Sequence, residues 1–180
     1  LFLDRSPISE ACRGVLTCLE KLGLDLESRN LDEYRAYFAS FTPQEYVNKV
    51  LETSNVKTVV MTNDPFDLQE RNFWEKGGVV DDPRFRSVLR LDPLLVTTPH
   101  GIATLRQLGY NVDSGLGQDT LSEVRRFLKD WLGKMDALYM AVSLPPTFTY
   151  PDNSHQARLL EKCVLPVSRE LNKPFAMMIG

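Results

Sequence analysis

Two short stretches of this 180-residue chain place binding or ionisable side chains directly after apolar runs. Thr62-Asn63-Asp64-Pro65 follows Val59-Val60-Met61, and Arg90-Leu91-Asp92-Pro93 closes an apolar run that opens at Phe85. A guanidinium at the end of an apolar strand must pair or reach solvent, and its planar fork suits a carboxylate or phosphate. Thr62, Asp64 and Arg90 are therefore candidate binding residues. The Asp-Pro pairs also have a plainer reading, in which Asp caps the following helix and Pro fixes φ in its first turn. Both readings stay open, and the plainer one suits Asp92 best.

The remaining chemistry-bearing residues complete no active site. His100, between Pro99 and Gly101, reads as a helix entry, and His155 lies in the polar helix start Asn153-Ser154-His155-Gln156. The sequence contains no H-x-H, H-E-x-x-H or G-x-S-x-G, and no carboxylate cluster with metal-ligand spacing. No G-x-G-x-x-G follows a strand, since Gly115-Leu116-Gly117 falls in a polar connector. Cys12, Cys18 and Cys163 form an odd set without C-x-x-C, which argues for small buried hydrophobes rather than disulfides or structural zinc.

These residues must be positioned by two kinds of element. The first third reads as helices. Ser6-Pro7 and Ser9-Glu10 supply N-cap chemistry for a helix with Ala11, Val15, Leu16, Leu19 and Leu22 on one face, ending at Gly23. Leu31, Tyr34, Tyr37 and Phe38 repeat the helical period. Thr42 and Pro43 then start a helix whose stripe is Tyr46, Val47 and Val50. From Val56 on, short apolar runs at 56–61, 85–91, 137–142 and 174–179 alternate with helical segments at 68–75, 98–108, 120–132 and 155–171. Runs without polar alternation predict parallel strands covered on both faces. Their order predicts right-handed βαβ crossovers, in a barrel or an open doubly wound sheet. Pro166 should kink or interrupt the last helix.

Composition narrows the partners more than the chemistry. A net charge of −3, from 21 basic and 24 acidic residues without a charge block, argues against nucleic acid and against a polybasic membrane anchor. No apolar run is long enough to span a membrane and no signal peptide opens the chain, so a cytoplasmic protein is the expectation. The start at Leu1-Phe2-Leu3 and the stop on an apolar run of strand length suggest an excerpt from a longer protein.

The stretch from Asn55 through Val59-Val60-Met61-Thr62-Asn63-Asp64-Pro65 to Asp67 resembles the segment of uronate (glucuronate) isomerases in which an Asn-Val strand ends in Thr-Thr-Asp-Asp-Pro and another Asp follows. Ser6-Pro7-Ile8 and Leu22-Gly23-Leu24 are similar to the ends of that family's Asn-Pro-Leu helix, and Leu31-Asp32-Glu33-Tyr34 resembles the short helix after it. Arg90-Leu91-Asp92 stands where the family carries Arg-Pro-Asp. The helix around Arg125-Arg126-Phe127 and the run ending at Ser143 also correspond, so the likeness covers roughly residues 1 to 145.

The resemblance implies part of a distorted (β/α)8 TIM-type barrel of the amidohydrolase superfamily, with a helical insertion at residues 1–54 and middle β/α units at 55–180. It implies an isomerase of carbohydrate metabolism that interconverts aldose and ketose sugar acids of the glucuronate/fructuronate type by moving a proton between C1 and C2. A small-molecule sugar acid is then the partner, with Arg90 as carboxylate binder, Thr62 and Asp64 shaping the barrel mouth, and Arg13 as a further binding candidate. It further implies a divalent metal, zinc first, held with the catalytic base outside this segment, so that the segment alone is inactive. A homo-oligomer stays open. The chain departs from the family pattern at Ser9-Glu10-Ala11-Cys12-Arg13-Gly14, which lacks the family's His and Trp. It departs again at Ser143-Leu144-Pro145-Pro146, which lacks a His. Two alternatives therefore remain: a metal-dependent hydrolase or lactonase acting on a carboxylated substrate, and a non-catalytic α/β module.

Overall fold

The computed structural model describes residues 9–28, 30–78 and 82–180, so the start signal at Ser6-Pro7 lies outside the described residues. The chain divides into two compact units, Leu1–Lys57 and Thr58–Gly180.

The first unit holds α1 (Glu10–Lys21), α2 (Leu31–Ala39) and α3 (Pro43–Thr53). Each begins on a polar side chain that satisfies an orphan amide. Ser9 Oγ accepts from Cys12 N, Asn30 Oδ1 from Asp32 N, and Thr42 forms a full capping box with Glu45. The buried positions differ from the expected stripes. Cys12 and Leu19 carry the inner side of α1 while Val15 is exposed, and Leu51 rather than Val50 is buried on α3. Tyr34 Oη donates to Asp25 O at 2.7 Å and Tyr37 Oη to Leu22 O at 3.3 Å, which pins α2 to the connector after α1.

The second unit is a four-stranded sheet in the order β1 (Val59–Asn63), β2 (Phe85–Arg90), β3 (Met140–Leu144) and β4 (Phe175–Ile179), with every pairing parallel. The crossovers contain α4 (Leu68–Glu75), then α5 (Asp92–Leu95), α6 (Thr98–Gln107) and α7 (Gln118–Lys134), then α8 (His155–Leu159) and α9 (Leu165–Leu171). The parallel α/β expectation holds. The register pairs Thr62 with Val88, Arg90 with Ala141, and Ser143 with Met178.

Side chains on one face of the sheet, from Leu89, Met140, Val142 and Leu144, join Val124, Phe127, Leu128 and Trp131 of α7 in a single core with Leu159, Val164 and Val167. Burying each such side chain contributes about 1.5–3 kcal/mol, and this core holds the strand ends in place. The opposite face carries Thr62, Val88, Arg90, Ala141 and Ser143 by strand alternation. Coverage of both faces, expected for every strand, fails at the two outer strands. Val60 of β1 is 44% exposed, and Met177, Met178 and Ile179 of β4 are exposed as well.

Two strands begin later than the apolar runs suggest, for one reason. Asn55 and Asp136 take left-handed conformations, with φ of 53° and 43°, directly after α3 and α7. The next amides, of Val56 and Ala137, then donate back to Leu51 O and Leu132 O. Val56 and Ala137 thus close helices in Schellman fashion instead of opening strands.

Pro166 acts as expected, with a local remedy. Residues Leu160–Val164 form a π turn between α8 and α9. Proline lacks the N–H that would reach Lys162 O, and Arg125 Nη1 donates to that carbonyl instead at 3.2 Å.

Candidate functional site

The carboxyl ends of β1, β2 and β3 gather the polar side chains of the second unit. Arg90 ends β2, and its guanidinium meets Asp92 edge-on, with Nε to Oδ2 at 2.8 Å and Nη2 to Oδ1 at 3.0 Å. Nη2 also lies 3.5 Å from Ser143 Oγ, while Ser143 N donates to Asp92 Oδ1 at 3.2 Å. The guanidinium is thus fixed across two strands. Nη1 makes no hydrogen bond to a described residue, and the Arg90 side chain is 38% exposed, which leaves one donor edge accessible.

Asp92 is 21% exposed. Burial pushes its carboxyl up, but the Arg90 fork and the Ser143 N–H outweigh it and hold the group below the ordinary carboxylate range. The same pair raises Arg90 further above its already high value.

The turn after β1 is built differently from expectation. Asp64 Oδ1 accepts from Phe66 N at 2.8 Å, an Asx turn, and the N-cap of α4 is Asp67, which accepts from Gln69 N and Glu70 N. Glu70 reaches back across the turn, where its Oε2 accepts from Asn63 Nδ2 at 3.1 Å and from Asp64 N at 3.0 Å. Asp64 is half-buried, and that desolvation, aided by the charges of Glu70 and Asp92, raises its pKa against the Phe66 N–H and Arg90. These mutual charge effects mark Asp64, Glu70, Arg90 and Asp92 as one electrostatic cluster.

Of the sequence-derived candidates, Arg90 and Asp64 belong to this cluster. Thr62 is exposed on β1, on the same sheet face as Arg90. Arg13 is exposed on α1 of the helical unit. Two further participants, Asp92 and Glu70, are not among those candidates. The cap reading, which suits Asp92 best from sequence, does not hold, because Leu91 takes the N-cap position and no side chain caps α5. The signal was present, because residues two apart at a strand end share a side. Glu70 had no comparable signal, since its role depends on how the turn folds back.

Among the described residues no cluster of three or more His, Cys, Asp or Glu side chains could hold a metal ion. Nor, among them, is any helix long and apolar enough to cross a membrane. A cavity of about 380 Å3 opens at the other end of the sheet, where Phe85 begins β2, and its Arg86 is paired with Asp136 at 3.4 Å.

Parallel strands joined by helices, with the ionisable cluster at the strands' carboxyl ends, define a parallel α/β protein of the class whose ligands meet those ends. A crystal structure of a uronate isomerase from Bacillus halodurans C-125 is similar to the chain over its entire length, at 53% sequence identity and a TM-score of 0.94. The chain belongs to the uronate isomerase family. It spans 42% of the length of that relative. No family model and no curated protein matches the chain.

Proposed function

We propose that the chain supplies the middle strands of a (β/α)8 barrel of the amidohydrolase type, in an enzyme that interconverts the aldose and ketose forms of a sugar acid such as glucuronate. The observation that carries this reading is the match at 53% identity along the whole chain, joined to a guanidinium at the strand ends with Nη1 unengaged. In this reading Arg90 receives the substrate carboxylate through its free edge, a charge-assisted contact that fixes the sugar's far end. Thr62 and Asp64 line the barrel mouth beside it. The residues of this chain thus bind and orient the substrate. The divalent metal, zinc first, and the base that shuttles the proton between C1 and C2 are assigned to residues outside the chain. That metal would supply polarisation of the substrate oxygens.

The test uses the complete enzyme. With glucuronate in deuterated water, isomerase activity places solvent deuterium at C1 of the ketose as it appears, and at C2 of the aldose as the reaction reverses. Arg90→Ala should raise KM for the sugar acid by about tenfold or more, as expected for a lost hydrogen bond to a charged group. A neutral aldose should be affected far less. Hydrolysis of a carboxylated lactone without aldose-ketose conversion would reject the isomerase, and equal KM effects on charged and neutral sugars would reject the role of Arg90.

A further inference from the structure

We propose that Asp92 is a positioning residue for Arg90, holding its guanidinium so that only the Nη1 side faces the substrate carboxylate; this rests on the role given to Arg90 above. The backbone of α5 carries the argument. An aspartate serving only the turn would accept from the amides of the first helical turn. Those amides are already satisfied, because Leu94 N and Leu95 N both donate to Leu91 O at 3.0 Å. Both carboxylate oxygens of Asp92 instead engage the strand ends. Oδ2 takes Arg90 Nε, and Oδ1 takes Arg90 Nη2 together with Ser143 N of the neighbouring strand.

Two consequences follow for an incoming carboxylate. The side-on face of Arg90, Nε with Nη2, is occupied, so a ligand is restricted to the Nη1 side. The long side chain is also ordered in advance, so binding loses less rotamer freedom than it would with a free arginine. Asp92 acts against affinity as well, because it neutralises part of the guanidinium charge. A positioning role and a charge-damping role therefore predict opposite effects of removing that charge.

Asp92→Asn separates them. The amide nearly matches the carboxylate in shape and can still accept from Ser143 N, but its nitrogen cannot accept from the guanidinium. In the complete enzyme we expect Asp92→Asn to raise KM for D-glucuronate about tenfold with a smaller change in kcat. In an Arg90→Lys background, where no fork remains to be aimed, the same substitution should change KM less than twofold. An unchanged or lowered KM, or an equal rise in both backgrounds, overturns the positioning role and leaves Arg90's own role standing. If Arg90→Lys alone leaves KM unchanged, the carboxylate role of Arg90 fails first and this one with it. Should Asp92→Asn not fold, the wild-type Arg90 Nε–H resonance decides. Slow exchange with solvent supports the pair, and rapid exchange overturns it.

Discussion

Arg90 and Asp92, two residues apart at the carboxyl end of β2, form a two-point ion pair whose acceptor Oδ1 also takes the backbone amide of Ser143 on β3. The pair therefore joins strand ends as well as charges. Arg90 and Ala141 form the last register pair between these strands, so the carboxylate extends the tie beyond the ladder. Because the folded protein holds Asp92 below its ordinary value of 3.8, folding favours the ionised form. The stabilisation is complete above the unfolded pKa and is lost as pH falls through the lower folded pKa. Asp92→Asn should thus lower the thermal midpoint at pH 7, and the deficit should shrink below about pH 4. A deficit constant from pH 7 to pH 3 would show that the ionised carboxylate is not the source.

Asp64 should respond with the opposite sign. Its desolvated carboxyl, beside Glu70 and Asp92, titrates above 3.8, so the folded state binds the proton more tightly than the unfolded state. The ionised group penalises folding fully above the folded pKa. The penalty fades as pH falls towards the unfolded value. Asp64→Asn keeps an acceptor for Phe66 N and removes the charge. It should raise the thermal midpoint at pH 7 and converge with wild type below about pH 4. Thermal unfolding across this range checks both variants, and a destabilised Asp64→Asn at pH 7 would contradict the desolvation argument.

How far the site was legible depends on where each cause resides. The parallel sheet could be read because apolar runs separated by helical periods leave few alternatives, and Arg90 stood out as a charge ending such a run. β1 and β3 start later than their apolar runs because Val56 and Ala137 are apolar for another purpose, closing helices behind left-handed Asn55 and Asp136. Apolarity alone cannot distinguish a helix-closing residue from a strand-opening one. At Asp92 the cap reading fails, because Leu91 O meets the Leu94 and Leu95 amides that the aspartate could have taken. Glu70 reaches Asn63 and Asp64 only after the β1 turn folds back, a relation with no local sequence pattern.

The three cysteines, all expected to be buried, divide on exposure. Cys12 and Cys163 are buried and Cys18 is exposed on α1. Cys163 donates its thiol to Leu121 O at 3.4 Å, and burial pushes its pKa up to about 12, so almost no thiolate exists near neutrality. A thiol reagent such as 5,5′-dithiobis(2-nitrobenzoate) should label the native chain at Cys18 first. Cys163 should react only on unfolding in denaturant. Peptide mapping after a short native pulse checks the order, and early labelling of Cys163 would contradict the packing around the π turn.

Gly101 and Gly133 should respond oppositely to the same added methyl group. A Cβ on Gly101 of α6 would sit 2.6 Å from Pro93 O and 2.7 Å from Leu94 Cα, both backbone atoms of α5 that cannot swing aside. The short helix beginning at Asp92 would have to move, and the Arg90 fork is anchored to that residue. Gly101→Ala should cost about 1–3 kcal/mol, lowering the thermal midpoint by several degrees. Gly133, exposed in the last turn of α7, would place its Cβ in open space. Its replacement by alanine should stabilise by up to about 1 kcal/mol, because alanine loses less backbone entropy in a helix. Parallel thermal melts of the two variants test the contrast. Equal midpoints would mean that the α5–α6 approach is looser than 2.6 Å requires.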